Sequence, residues 1–164
     1  MIETTKPCDA VLIVIVEDNP HQRKKMKQFL IESFPNCQVK TIAHGIEAMN
    51  YLLTPVNKYH LVIIDGKLDP FPKTFITPVN GPDIAAAMKE KGIEVPVVLC
   101  TGNDPEKLNS FDKVFGKRVP EIEKPCRKSN IQAVLTPIID KIANAFQEKN
   151  ERIPDVTPSY HRPG

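Results

Sequence analysis

The sequence predicts an α/β protein, a single doubly wound sheet of five parallel strands with helices on both faces. Three continuous apolar runs carry this prediction: Val11–Val16, His60–Asp65 and Val95–Thr101. These runs are rich in Val, Ile and Leu and lack strict apolar–polar alternation, which is typical of strands buried on both faces. Segments with apolar residues at helical spacing lie between them, so strand and helix alternate five times, as a parallel sheet requires.

The N-terminal half supplies two strand–helix units. Pro20 follows the first apolar run and suits the first turn of a helix, and the residues after it place apolar side chains at helical spacing. Residues 38–43 predict a short second strand, and the segment from Gly45 to about Leu53 predicts a second helix.

The C-terminal half continues the alternation. Residues 81–92 predict a helix with Pro82 early and Gly92 as its stop. After the strand that ends at Thr101, Pro105 predicts the start of another helix. Residues 118–125, "RVPEIEKP", predict a weak fifth strand, and a full apolar stripe predicts a last helix from about Ser129 to Glu148.

Composition excludes several classes of protein. The chain has 164 residues, a net charge of +2, 41% hydrophobic and 26% charged residues, which fits one soluble domain. The near-neutral charge argues against binding through the nucleic-acid backbone, and no apolar run is long enough to span a bilayer. The four cysteines form no CxxC pair, so zinc is not expected. The N-terminus lacks a signal-peptide pattern, and we expect a cytoplasmic protein with reduced thiols.

We divide the chain into three parts. Residues 1–9 are a short polar lead, residues 10–149 form the domain, with a long loop at 66–80, and residues 150–164 are expected to be a disordered polar tail. No helical DNA-binding unit follows the last helix. We therefore expect no direct DNA binding, no membrane insertion and an output that passes through another protein.

Polar residues stand at the carboxyl ends of the predicted strands. They are Glu17, Asp18, Asp65, Thr101 and Lys124. In open parallel sheets these ends form the binding edge, so the five side chains should meet on one rim. Clustered carboxylates repel one another, and Mg²⁺ would relieve that repulsion through oxygen ligands. A carboxylate can also accept a phosphoryl group, a reaction that depends on positioning and charge neutralisation.

Four motifs in order make the chain resemble the receiver domains of bacterial two-component response regulators. They are "VEDNP" after the first strand, "LVIID" ending the third, "VLCTG" ending the fourth and "EKPC" after the fifth. The resemblance covers about Val11 to Gln147. It implies a stand-alone receiver with the flavodoxin-like strand order 2-1-3-4-5.

The resemblance also implies a phosphorelay chemistry. Asp65 would be the phosphoacceptor, taking the group from a sensor histidine kinase or a histidine phosphotransfer protein. Mg²⁺, which Mn²⁺ can replace, would bind to Asp18, to Asp65 and to the backbone carbonyl of Lys67, with Glu17 contributing through water. The protein would catalyse only its own phosphorylation and dephosphorylation, and a homodimer is compatible with the family.

The remaining roles follow from the same resemblance. Thr101 would hydrogen-bond the attached phosphoryl group, and Lys124 would pair with that group or with Asp65. Lys67 and Asn103 occupy the positions that flank the phosphoryl group in the family and tune its hydrolysis.

Two features depart from the family pattern. Gly81 comes 16 residues after Asp65, a longer connection than is usual, and we expect the extra segment to fold over the rim and shape partner access. Glu121 stands where the family often has an aromatic ring that moves with the Thr. The usual coupling between that ring and Thr101 is therefore in question.

Other interpretations remain open at this point. The chain could be a pseudo-receiver, a scaffold that binds partners without phosphorylation, or a phosphatase with Asp65 as nucleophile, although Lys67 stands where such enzymes typically have a second Asp. Single residues also have plainer readings: Asp18 could cap a helix, Lys124 could be a solvated surface lysine, and the basic run Arg23–Lys27 could be a solvated helix face or a docking surface.

Overall fold

A computed structural model describes residues 11–66, 68, 79–102 and 105–160. The strands are β1 (Leu12–Val16), β2 (Gln38–Ile42), β3 (Leu61–Asp65), β4 (Val97–Thr101) and β5 (Glu121–Glu123). The helices are α1 (Pro20–Ser33), α2 (Gly45–Leu53), α3 (Gly81–Glu90), α4 (Pro105–Phe115) and α5 (Lys128–Tyr160). Strand and helix alternate throughout, as predicted.

The five strands form one parallel sheet in the order β2-β1-β3-β4-β5. This confirms the predicted fold class and strand order. β1 and β3 lie inside the sheet, which explains why their sequences are apolar up to the Asp65 that ends β3; β3 is buried at every position. β2, at the edge, alternates exposed and partly buried residues from Gln38 to Thr41 and is buried only at Ile42.

Two apolar layers cover the two faces of the sheet. Val14 and Val16 point into a layer that α2, α3 and α4 complete, for example through Phe111. Ile13 and Ile15 point to the other face, where α1 and α5 cover them. The pleat of one strand thus serves both cores, because successive side chains point to opposite faces.

The start of α1 settles what caps it. Asn19, and not Asp18, is the N-cap residue, and its side-chain oxygen accepts a hydrogen bond from the Gln22 N–H at 3.0 Å. Pro20 occupies the first turn, where its missing N–H costs nothing. The alternative reading of Asp18 as a helix cap is therefore wrong.

The last helix is longer than the sequence predicts. The sequence predicts its end near Glu148 and a disordered tail over 150–164, whereas α5 continues to Tyr160; residues 161–164 lie outside the described residues. Glu148, Lys149, Glu151 and Arg152 are good helix formers and no glycine stands between Lys128 and Tyr160, although Pro154 and Pro158 also lie within the helix. Among the described residues, no helix is both long and apolar enough to cross a bilayer.

The long connection between β3 and α3 is closed at its base. The Gly81 N–H donates to the Gly66 carbonyl at 3.3 Å, and the Asn80 side chain accepts from the Leu68 N–H at 3.0 Å. Leu68 is itself buried. The rest of the connection, residues 67 and 69–78, lies outside the described residues, as does the prediction that it folds over the rim.

Gly81 makes this closure possible by bringing α3 close to β3. A β-carbon at Gly81 would lie 2.6 Å from the Asp65 carbonyl oxygen and 2.7 Å from the Phe111 ring. Only a residue without a side chain allows the helix to start this near to the strand end. The start of α3 thereby packs directly against the end of β3, where Asp65 lies.

Candidate functional site

The strand order places the carboxyl ends of β1, β3, β4 and β5 along one edge of the sheet. Glu17 and Asp18 follow β1, Asp65 ends β3, Thr101 ends β4 and Lys124 follows β5. The structure therefore brings all five of these predicted residues to one rim. Lys67 and Asn103, the two other positions singled out, lie outside the described residues.

The three acids of the rim form one cluster. One carboxylate oxygen from each of Glu17, Asp18 and Asp65 lies within 4.8 Å of the others. Glu17 is 2% exposed and Asp65 is 8% exposed, whereas Asp18 is half-buried. The cluster thus has a buried side, at Glu17, and a side that opens towards solvent, at Asp18.

Lys124 bridges two of the acids. Its Nζ lies 3.0 Å from Oε1 of Glu17 and 3.0 Å from Oδ2 of Asp65. The Lys124 N–H also donates to the Thr101 carbonyl at 2.8 Å, which continues the β4–β5 pairing. The lysine is therefore held by its backbone at the sheet edge and by its ammonium between two carboxylates.

The cluster perturbs its own titration. Burial, with the Asp65 carboxylate as the second cause, raises the pKa of Glu17 to about 7, although Lys124 opposes the change. Burial disfavours the charged form of Lys124, but the carboxylates of Asp65 and Glu17 outweigh it and raise the lysine pKa above its usual range. Near neutral pH the ammonium is thus firmly charged, whereas Glu17 is close to its midpoint.

Backbone contacts hold the Glu17–Asp18 turn. The Glu17 N–H donates to the Ile42 carbonyl at 3.0 Å, and Oε2 of Glu17 accepts from the Asn19 N–H at 3.2 Å. Arg23, on α1, donates through Nη1 to the Glu17 carbonyl at 2.9 Å, with the Asp18 carbonyl at 3.4 Å. The acid pair is therefore anchored by β2, by the cap of α1 and by an arginine.

Arg23 was missed as a site residue by sequence reasoning, which placed it in a solvated or docking face. It is half-buried and reaches back to the turn that precedes its own helix. The signal that could have identified it is its position: Arg23 lies one helical turn after the start of α1, so a long side chain there can reach back to the end of β1. Its guanidinium binds backbone oxygens, so it positions the acids.

Thr101 and Glu121 occupy different places on the neighbouring strands. Thr101 is 3% exposed at the end of β4, where its carbonyl accepts from the Lys124 N–H. Glu121 begins β5, is half-buried and pairs with Leu99 in the parallel register. An acidic residue therefore does stand in the fifth strand where the family often has an aromatic ring.

The donor set fits a hard divalent cation. Three carboxylates face one ammonium, which leaves an excess of negative charge that a 2+ ion would neutralise. In the described part of the chain, Oε1 of Glu17 is buried and accepts no well-formed hydrogen bond, despite the ammonium at 3.0 Å. The residues present thus match the oxygen-only ligands of Mg²⁺.

Comparison with protein-family models gives one match, to the response regulator receiver domain, over residues 13–136. This range covers every residue of the rim. A search of curated proteins finds no significant sequence match.

Solved structures with the same fold include several receiver domains. One is from an HD domain-containing protein of Pseudomonas fluorescens Pf-5, with a TM-score of 0.65, 16% identity, and coverage of 82% of this chain and 98% of that one. Another is the BeF3-activated receiver domain of DrrB, with a TM-score of 0.62, 23% identity, and coverage of 80% and 98%; DrrB is a Thermotoga maritima protein. A third, from a DNA-binding response regulator of Colwellia psychrerythraea 34H, has a TM-score of 0.61, 18% identity, and coverage of 79% and 98%. At these identities the likeness shows a shared fold.

Proposed function

Because this chain belongs to the response regulator receiver domain family, which matches it over residues 13–136, we propose that it accepts a phosphoryl group on Asp65. The donor is a phosphohistidine of a sensor histidine kinase or of a histidine phosphotransfer protein, and the reaction depends on Mg²⁺. The phosphorylated protein signals through contacts with another protein. The observation that carries this proposal is the ammonium of Lys124, 3.0 Å from Asp65 within the acid cluster.

In the proposed reaction an oxygen of the Asp65 carboxylate attacks the phosphorus atom. The new O–P bond forms as the P–N bond of the phosphohistidine breaks, and the imidazole nitrogen keeps the electron pair. Negative charge then lies on the phosphoryl oxygens. Lys124 supports this step because its charged nitrogen already lies beside Asp65, so it need not move to reach the product.

The acid cluster supports a role for Mg²⁺. Asp18 and Asp65 would hold the ion directly and Glu17 through water, and the Lys67 carbonyl would complete the protein ligands. When bound, the ion supplies positive charge that neutralises the acids and the transferred phosphoryl oxygens. Arg23 keeps the Glu17–Asp18 turn in place through its hydrogen bonds to backbone oxygens.

Thr101 completes the proposed site. Its position at the end of β4, linked to Lys124 by the 2.8 Å backbone hydrogen bond, suits a hydroxyl that donates to a phosphoryl oxygen. Thr101 is buried at the rim, so its neighbours are in close contact with it. If the end of β4 shifted on phosphorylation, the surface around Thr101 would therefore move with it.

The test is direct phosphorylation by a small-molecule donor. The protein is incubated with acetyl phosphate and Mg²⁺ and weighed intact. We expect one labile phosphate adduct, which is lost in Asp65→Asn and in the presence of a chelator. Asp140→Asn, on an exposed position of α5, is the matched control and should form the adduct normally.

A pseudo-receiver is the second candidate, and Glu121 in the fifth strand is the observation that favours it. A protein of this kind would form no phosphate adduct with acetyl phosphate. Beryllofluoride, which mimics the phosphoryl group, would leave the spectrum of the protein unchanged. That pair of results would replace the phosphoacceptor proposal, whereas rapid turnover of simple phosphate esters would indicate a phosphatase.

A further inference from the structure

Two cysteines that are far apart in the chain meet beside the rim. The sulfur atoms of Cys100 and Cys126 lie 3.2 Å apart, across a separation of 26 residues. Cys100 is 1% exposed and Cys126 is 2% exposed, within the layer between the sheet and helices α1 and α5. Neither residue has a part in the phosphoryl chemistry proposed above.

The contact is closer than apolar packing alone requires. A disulfide bond has a length of about 2.05 Å, so the two sulfurs need to approach by only about 1.1 Å to become bonded. One cysteine is on β4 and the other follows β5, and these strands are already paired. The geometry therefore presents a dithiol in which bond formation needs a small local movement.

The surroundings shift the pKa values of the two thiols in opposite directions. The hydrogen bond between the two sulfurs lowers the pKa of Cys126, and the charge of Lys124 adds to this effect against the opposing effect of burial. The same contact, followed by burial, raises the pKa of Cys100. Cys126 is therefore the sulfur more readily present as thiolate, and Cys100 is the one that keeps its proton.

We propose that Cys100 and Cys126 form a redox-active dithiol that a peroxide converts to an intramolecular disulfide. The Cys126 thiolate first attacks one peroxide oxygen; the O–O bond breaks, and the products are a sulfenic acid and, after protonation, water. The Cys100 sulfur then attacks the Cys126 sulfur, loses its proton and expels the hydroxyl as a second water. Overall, two thiols and hydrogen peroxide give one disulfide and two waters.

The position of this bond gives it a consequence for the rim. Thr101 directly follows Cys100, and Lys124 precedes Cys126 by two residues. The disulfide would close a ring that contains α4, β5 and both of these residues. Oxidation would thus hold together the two strand ends that carry the hydroxyl and the ammonium of the site.

The experiment uses the full chain with Cys8→Ser and Cys37→Ser, so that only the proposed pair remains. The folded protein is treated with hydrogen peroxide, the oxidant is removed, and free thiols and intact mass are measured. We expect the thiol count to fall from two to zero with the loss of two hydrogen atoms, and dithiothreitol to restore both. Circular dichroism before treatment confirms that the substituted protein is folded.

Two comparisons make the result specific. Adding Cys126→Ser should abolish the two-hydrogen loss, and adding Asp65→Asn should leave it intact, because disulfide formation does not need the phosphoacceptor. Failure of this proposal is thereby separate from failure of the phosphoacceptor proposal.

Two outcomes would overturn the dithiol. One is that both thiols stay reduced under peroxide exposure that fully oxidises Cys37, a half-buried thiol, in the unsubstituted protein. The other is that the bond forms only after urea has unfolded the chain, which would mean that the folded contact is packing alone.

Discussion

Replacing Glu17 by Gln should change how the stability of the metal-free protein depends on pH. The buried Glu17 carboxyl has its pKa raised from 4.5 to about 7, first by burial and then by Asp65. The folded protein therefore binds a proton at Glu17 that the unfolded chain releases at lower pH. Between these two values, stability falls as pH rises.

The size of the effect follows from the same two values. Below pH 4.5 Glu17 is protonated in both states, and its full contribution is present; above about pH 7 the contribution is lost. At about 1.4 kcal/mol per pH unit, the change between pH 5 and pH 8 is about 2.5 kcal/mol. The amide introduced by Glu17→Gln does not titrate, so this part of the pH dependence should be absent from the variant.

Urea unfolding at pH 5 and pH 8, with a chelator present throughout, measures the difference. With an m-value of roughly 2 kcal/mol/M, the wild-type midpoint should fall by about 1 M more than that of Glu17→Gln. Glu90→Gln, an exposed position on α3, is the matched control and should follow the wild type. Titrating groups that do not contact Glu17 contribute equally to both proteins and cancel.

An equal pH dependence in wild type and Glu17→Gln would refute this reasoning. It would mean that the proton is not bound at Glu17 when the cation is absent. Adding Mg²⁺ provides a second check, because a cation that binds the charged cluster should raise wild-type stability at pH 8 more than at pH 5.

Three further predictions concern the scaffold. Gly81→Ala should lower the free energy of unfolding by about 1–3 kcal/mol, since its β-carbon would lie 2.6 Å from a β3 carbonyl oxygen; Gly102→Ala, with nothing within 4 Å, should be near neutral in the same urea titration. Tyr59→Phe should cost about 1 kcal/mol in that assay, because the Tyr59 hydroxyl donates to the Leu52 carbonyl at 2.6 Å, and an unchanged midpoint would contradict it. Burial lowers the pKa of His60 from 6.5, so the free energy of unfolding should fall as pH drops below about 6.5. His60→Gln should lose this acid sensitivity, and an NMR titration that gives a His60 pKa of 6.5 or above would disprove the prediction.

The sequence was a reliable guide where burial on both faces fixed a strand. β1 and β3 were evident from continuous apolar runs, and the five rim residues followed because parallel strands end at one edge. The identity of the α1 cap was less accessible, since Asp18 and Asn19 are both good caps and adjacent. Only geometry separates them.

Contacts between distant segments could be predicted only in part. The family resemblance implies that Lys124 pairs with Asp65, but no local pattern shows that Lys124 would also contact Glu17, or that Arg23 would reach back to the turn before its helix. The end of α5 also differed, because composition suggests disorder for a segment that the helix includes. In each case the outcome depends on contacts between segments far apart in the chain, which the helix propensities of single residues do not describe.

The closed base of the β3–α3 connection makes this position a natural place to alter the protein. Gly66 and Gly81, and Leu68 and Asn80, are joined by hydrogen bonds, so the chain between them leaves and returns through fixed points. The entropy of closing such an excursion grows slowly with its length, by about 0.6 kcal/mol per doubling. We therefore expect Asp65 to keep its place when the chain between Leu68 and Val79 is shortened or replaced by a reporter peptide, which would label the rim that carries Asp65.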